Sequence, residues 1–187
     1  NCWPVSSDSS IDYEGNWKGL HYLVKKAFEP KLVSGYIHND TLDVYVVTDY
    51  LKPEKGSLKI EVKGLDGRSY STKTLRVSVP LNSSKMVCQV SVKDILAEAD
   101  PTKSYIRLIY TDGEGCQHSN LRFFVNQSNV RFLDPDISFT VKESDDHKEI
   151  TLTSDVFARA VYMSVKDSGL LHFSDNFFDL HPGEQYT

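Results

Sequence analysis

The chain has 187 residues, 40% of them hydrophobic, which is enough to bury a core and leaves room for two small domains. With 21 Lys and Arg against 26 Asp and Glu, its formal net charge is −5, so there is no electrostatic reason to expect a nucleic-acid partner. No apolar run approaches the length of a membrane span, and Asn1-Cys2-Trp3 has no signal-peptide pattern, so no membrane partner is expected either.

The first predicted element is a helix over Trp17–Phe28. Leu20, Leu23, Val24, Ala27 and Phe28 fall at i, i+3, i+4, i+7 and i+8, which gives it one apolar face, and Pro30 stops it. Only Cys2 to Tyr13 precede this helix, too little to supply a sheet or a second helix for that face. The segment therefore reads as the end of a domain whose body is missing.

From Leu32 the apolar period changes to two. Leu42/Val44/Val46, Leu58/Ile60/Val62, Leu75/Val77/Val79, Met86/Cys88/Val90/Val92, Ile106/Leu108/Tyr110 and Leu121/Phe123/Val125 each place apolar side chains on one face of a strand. Turn signals separate them at Lys52-Pro53-Glu54-Lys55-Gly56, Asp66-Gly67, Pro80-Leu81-Asn82 and Asp112-Gly113-Glu114-Gly115. Asp94–Ala99 reads as one helical turn capped by Asp94 and ended by Asp100-Pro101. Short strands without long helices predict an immunoglobulin-like β-sandwich over 31–128. A second sandwich is expected over 129–187, from Ile137/Phe139/Val141, Ile150/Leu152, Val161/Met163/Val165 and Phe177–Leu180, with Pro182–Thr187 turning into a further strand. Four strands are about half of a sandwich, so the chain is expected to be cut at both ends.

Two motifs carry a family resemblance. Cys2-Trp3-Pro4-Val5 followed by Ser9-Ser10-Ile11-Asp12-Tyr13-Glu14-Gly15-Asn16-Trp17-Lys18-Gly19-Leu20-His21-Tyr22 resembles the close of the catalytic barrel in family 2 glycoside hydrolases, and among them the β-mannosidases. Phe173-Ser174-Asp175-Asn176-Phe177-Phe178-Asp179-Leu180 with Pro182-Gly183-Glu184 resembles the signature of their last immunoglobulin-like domain. Asp8 departs from the pattern, which usually has Trp there. The fold class implied is mainly β: immunoglobulin-like sandwiches preceded by one helix left over from the end of a (β/α)8 barrel, residues 1–30.

The resemblance implies that a retaining pair of glutamates lies on barrel strands upstream of Asn1. Such a pair must sit about 5–5.5 Å apart, and this segment offers none. Glu14, Glu29, Glu98, Glu114, Glu143 and Glu149 read as solvated, and no catalytic residue is assigned. Trp3 is the substrate-binding candidate, because it would fall just beyond the last barrel strand, where the active site of that fold is built; the alternative is that it packs on the helix. The implied partners are the upstream barrel of the same polypeptide and the parent's oligosaccharide substrate, with self-association through the orphan helix. The implied setting is periplasmic or secreted in a bacterium and lysosomal in an animal.

Other patterns are weaker. Asp145-Asp146-His147 and Asp134-Pro135-Asp136 lack the convergent ligand spacing of a metal site, no cofactor is implied, and no Gly-x-Ser-x-Gly elbow occurs. Three cysteines leave at least one unpaired, and a Cys88–Cys116 bridge is one arrangement. Asn39-Asp40-Thr41, Asn82-Ser83-Ser84 and Asn126-Gln127-Ser128 fit glycosylation acceptors. Tyr36, Tyr45, Tyr50, Tyr70 and Tyr105 could form a sugar-binding platform on the first sandwich, the main rival to an accessory role. An adhesion-type module would explain the strands but neither end motif, whereas the same region of a related exo-β-glucosaminidase or β-galactosidase would share the architecture that the resemblance implies.

Overall fold

The computed structural model describes residues 3, 9–144, 147–165 and 173–187. It divides into two compact units, Pro30–Leu133 and a second made of Asn1–Glu29 with Asp134–Thr187.

Helix α1 spans Gly19–Ala27 in the second unit. Its buried residue is Tyr22, while Leu20, Leu23, Val24 and Phe28 are 44%, 55%, 39% and 82% exposed. The predicted apolar face is thus real as a pattern and uncovered in space.

In Pro30–Leu133, strands β1 (Lys31–His38), β2 (Thr41–Thr48), β3 (Glu54–Gly64), β4 (Ser69–Val79), β5 (Ser83–Ser91), β6 (Ser104–Thr111) and β7 (Gln117–Phe123) are joined by a short helix, α2 (Val92–Leu96), between β5 and β6. They form a three-stranded sheet, β1-β2-β5, and a four-stranded sheet, β4-β3-β6-β7, antiparallel throughout. Val33, Leu42, Val44 and Val46 of the first sheet share one core with Leu58, Ile60, Val62, Ile106, Leu108 and Tyr110 of the second. Alternation built this core: each strand sends every second side chain inward, and the β-branched residues suit the pleated surface.

Local details depart from the sequence expectations where hydrogen bonding overrides composition. Glu54–Gly56 belong to β3 rather than to the turn before it. The cap of α2 is Ser91, whose Oγ accepts from the Asp94 N–H at 3.3 Å, so Asp94 lies in the first turn. In β5 the register shifts between the pairs Val44↔Cys88 and Tyr45↔Met86. That bulge turns Met86 outward, 45% exposed, while Val87 packs against the core. At β7 the side chains of Asn120 and Arg122 hydrogen-bond the β1 carbonyls of Val33 and Gly35 at 3.0 and 2.5 Å. Phe123, expected inward, instead meets Phe132 edge-on at 5.7 Å. Asn39 and Asp40, with φ of 46° and 59°, make a two-residue hairpin of the kind that requires left-handed backbone, a signal the sequence reading passed over.

In the other unit, β8 (Ile137–Glu143) pairs with β9 (Lys148–Ser154), and β10 (Ala158–Val161) with β11 (Phe178–Leu180). Leu152, Ala158, Phe178 and Leu180 form a small core with Ile150, Val161, Met163 and Tyr186 packed on it. Tyr186 bridges Leu152 through two backbone hydrogen bonds of 2.8 and 3.0 Å, in line with the expected further strand. Two expectations are corrected. Met163 and Val165 lie beyond β10, and Ile137, Phe139 and Val141 are 36%, 68% and 47% exposed, because among the described residues β8 pairs only with β9.

Candidate functional site

The loop that leads into α1 is built from short-range polar ties. Asp12 Oδ1 accepts the N–H groups of Glu14 and Asn16 at 3.0 and 2.8 Å, and its Oδ2 accepts from Asn16 Nδ2 at 3.0 Å. Against its partial burial, the hydrogen bonds from Asn16 and Glu14 hold the Asp12 carboxyl below its ordinary range. Gly15, at φ 90°, supplies the left-handed turn, and Ile11 bridges Trp17.

Trp3 lies at the outer end of this loop, 66% exposed, with its ring edge-on to Tyr13 at 6.0 Å; Tyr13 itself is 64% exposed. Lys18 Nζ donates to the Trp3 carbonyl at 2.6 Å and to Ser9 Oγ at 3.0 Å. Trp3 is thus placed with its indole open to solvent beside a second aromatic ring, an arrangement that can stack on the C–H face of a sugar. Cys2, Pro4, Val5 and Asp8, the remaining motif positions in question, lie outside the described residues.

The two end motifs meet each other. Phe177, at φ 56°, reaches Tyr22 at 6.2 Å and Tyr162 at 5.0 Å between ring centroids. A Cβ on Gly19 would stand 3.2 Å from that Phe177 ring, tighter than ordinary packing, so a larger residue there would require the ring to give by a few tenths of an ångström. Lys25 Nζ donates to the Ser174 carbonyl at 2.9 Å, and Lys26 pairs with Asp175 at 2.8 Å. The Tyr186 hydroxyl also donates to Asp175, and burial together with that carboxylate raises the phenol above its ordinary range. Asn176, 3% exposed, uses its amide as a ladder partner: it accepts from Met163 N–H at 2.8 Å and donates to Met163 C=O at 2.9 Å. Asp179 accepts from Arg159 at 2.5 Å and from the Ala160 N–H at 3.0 Å. Within its own unit α1 thus packs against the segment 174–177, and its His21 Nδ1 lies 3.2 Å from Ser10 Oγ of the preceding loop.

A buried ionic cluster in the first sandwich had no sequence prediction. Lys31, 6% exposed, places Nζ 2.5 Å from Asp112, 2.8 Å from Glu54 and 4.8 Å above the Tyr50 ring. Asp112 also accepts the N–H groups of Glu114 and Cys116 at 2.9 Å, and Tyr110 donates to Glu54 at 2.8 Å. The Lys31 hydrogen bond holds the Asp112 carboxyl far below its ordinary range despite burial. Burial alone would lower Lys31, but Asp112 and Glu54 outweigh it and raise the ammonium well above its ordinary value. Asp112, held ionised by the Lys31 ammonium, has no proton to donate at neutral pH, so the cluster is a structural cross-tie rather than an acid/base pair.

The tyrosine platform resolves into different environments. Tyr105 is fully buried, which removes it as a sugar contact, and Tyr50 and Tyr70 are engaged with Lys31 and Arg68. Tyr36 and Tyr45 remain, on one outer face. Cys88 and Cys116 are free thiols and do not bridge. Among the described residues no group of three or more His, Cys, Asp or Glu side chains could hold a metal; Asp145 and Asp146 lie outside them. Asn39, Asn82 and Asn126 are all exposed.

Residues 40–127 match a mannosidase Ig/CBM-like domain family and residues 132–187 an Ig-fold domain family. A β-mannosidase A of Aspergillus terreus is 26% identical over 98% of this chain, and a β-mannosidase of Capra hircus is 27% identical over 94%. This chain spans 21% of the length of each. The crystal structure of a β-D-mannosidase from Dictyoglomus thermophilum superposes with a TM-score of 0.82 at 25% identity, covering 100% of this chain and 22% of that one. An exo-chitosanase from Amycolatopsis orientalis shares the fold at a TM-score of 0.63 and 19% identity, over 95% of this chain and 25% of that one. Both domain families and relatives aligned along nearly the whole chain agree with the resemblance carried by the two end motifs: this is a β-mannosidase-like region of the family 2 glycoside hydrolase kind.

Proposed function

We propose that this chain is the C-terminal accessory region of a retaining, exo-acting β-mannosidase that removes terminal β-linked mannose. In this reading residues 1–30 close the catalytic barrel, 31–128 form the first sandwich and 129–187 the terminal one. The two glutamates lie on barrel strands outside this segment, the region is inactive by itself, and Trp3 contributes a sugar-stacking surface. The observation that supports it most is the uncovered apolar face of α1, Leu20, Leu23, Val24 and Phe28, on the same short segment as the exposed Trp3 indole. A face of this kind is what a helix shows when the layer it packs on is absent, and the end of a barrel supplies both that layer and a sugar site.

The test is hydrolysis of a chromogenic β-mannoside. The 187-residue chain is expected to release no product above buffer, while the full-length parent turns it over and its Trp3→Ala variant does so with a raised KM. Turnover by the isolated chain that survives rigorous purification would sink the reading.

A further inference from the structure

The outer face of the β1-β2-β5 sheet is not used by the reading above. Its central row across the strands is Tyr36–Asp43–Gln89, flanked by Ser34–Tyr45–Met86 and by His38–Thr41–Ser91. Asp43 is 7% exposed although it points away from the sandwich core, because its neighbours close over it. Its Oδ2 accepts from His38 Nε2 at 2.7 Å and its Oδ1 from Gln89 Nε2 at 2.8 Å. Those hydrogen bonds, Gln89 first, keep the carboxyl below its ordinary range.

The arrangement fixes which atoms face a ligand. In the tautomer whose proton is the one Nε2 donates to Asp43, His38 presents Nδ1 as an acceptor; with its amide nitrogen turned to Asp43, Gln89 presents Oε1. Tyr36 stacks on His38 at 5.3 Å with 24° between planes and is 64% exposed. A matching ligand needs an apolar C–H face for the phenol and hydroxyl donors along one edge for the two acceptors. A protein core contact fits less well, since interface centres are depleted of Asp and a carboxylate keeps unfilled acceptor sites there. Gln89 also borders a cleft of about 460 Å³ where Ser71, Thr72, Lys73, Ser91 and Asp94 meet apolar Ile60, Val90 and Ile95, a mixed lining with room for a further sugar unit.

We propose that this face binds a neutral hexopyranose unit of an oligosaccharide, stacked on Tyr36 with hydroxyls donating to His38 Nδ1 and Gln89 Oε1, both held by Asp43. The inference rests on the first sandwich alone, and binding by the chain is independent of hydrolysis by a parent. Titration of the 187-residue chain with β-linked mannotriose and, in parallel, cellotriose, followed by calorimetry and amide shifts, tests it. The expected result is saturable millimolar binding to at least one of them, with shifts at Tyr36, His38 and Gln89. Tyr36→Ala weakens it by about tenfold or more through loss of ring stacking, and Tyr36→Phe retains it. Asp43→Asn, which releases the two acceptors, weakens it while the dispersion of the core amides shows the sandwich intact. No saturation with either sugar, or equal binding by Tyr36→Ala, overturns the proposal; so does a face that responds only to another protein domain.

Discussion

Lys31 sits at the start of β1 and gathers Asp112, from the turn between β6 and β7, and Glu54, from the start of β3, onto one ammonium. Removing one partner of a buried ion pair leaves the other charge uncompensated, so Lys31→Met is expected to destabilise the first sandwich by about 3–5 kcal/mol in urea unfolding. The pH dependence follows from the shifts. Asp112 is depressed in the folded state, so its contribution is complete above its unfolded value near 3.8 and is lost as pH falls further. Lys31 is raised, so its contribution is complete below about 10.5 and is lost as pH climbs beyond that. The difference between wild type and Asp112→Asn should therefore be constant through neutrality and shrink in acid; a difference that grows below pH 3.8 would contradict the assignment. None of this was legible in the sequence. Lys31, Glu54 and Asp112 are far apart along the chain, and each reads alone as a solvated strand end or turn, because the pattern that reveals a core is apolar alternation and carries no information about which charges converge.

At the scale of elements, the strands were legible and their irregularities were not. Alternation marked Leu42/Val44/Val46 and Leu58/Ile60/Val62 as inward, and all six are buried. It also marked Met86, which the bulge beside Cys88 turns outward, because a single inserted residue reverses the face without changing composition. For α1 the sequence showed the apolar face and missed the side that is buried here. That side rests on Tyr22 and on Gly19 beneath the Phe177 ring, a contact between motifs at opposite ends of the chain. Isolated helices as short as α1 are marginal, so this clamp supplies much of its order. Phe177→Ala is expected to cost about 1–3 kcal/mol and, more diagnostically, to abolish amide-exchange protection in Gly19–Ala27 while β3 and β6 keep theirs. Equal protection in the variant would show that the helix stands without Phe177.

For the molecule as a whole, what remains uncovered is as informative as what is packed. Leu23 and Phe28 are 55% and 82% exposed on α1, and Phe139 is 68% exposed on β8. Burying one Leu or Phe side chain fully is worth roughly 1.5–3 kcal/mol, so the α1 face alone represents a substantial driving force for association. In the parent, on the reading proposed above, the barrel takes up that face. In the isolated chain the available substitute is a second copy, and a helix face meeting its own equivalent gives a closed two-fold pair. The chain is therefore expected to self-associate at high concentration in sedimentation experiments. Leu23→Ser combined with Phe28→Ser should shift it to the monomer while leaving the strand signal in circular dichroism intact, because both side chains are largely exposed and neither belongs to a described core cluster. Phe139→Ser serves as the control that separates the two apolar surfaces: if it alone dissolves the assembly, the contact runs through β8, and α1 is not the interface.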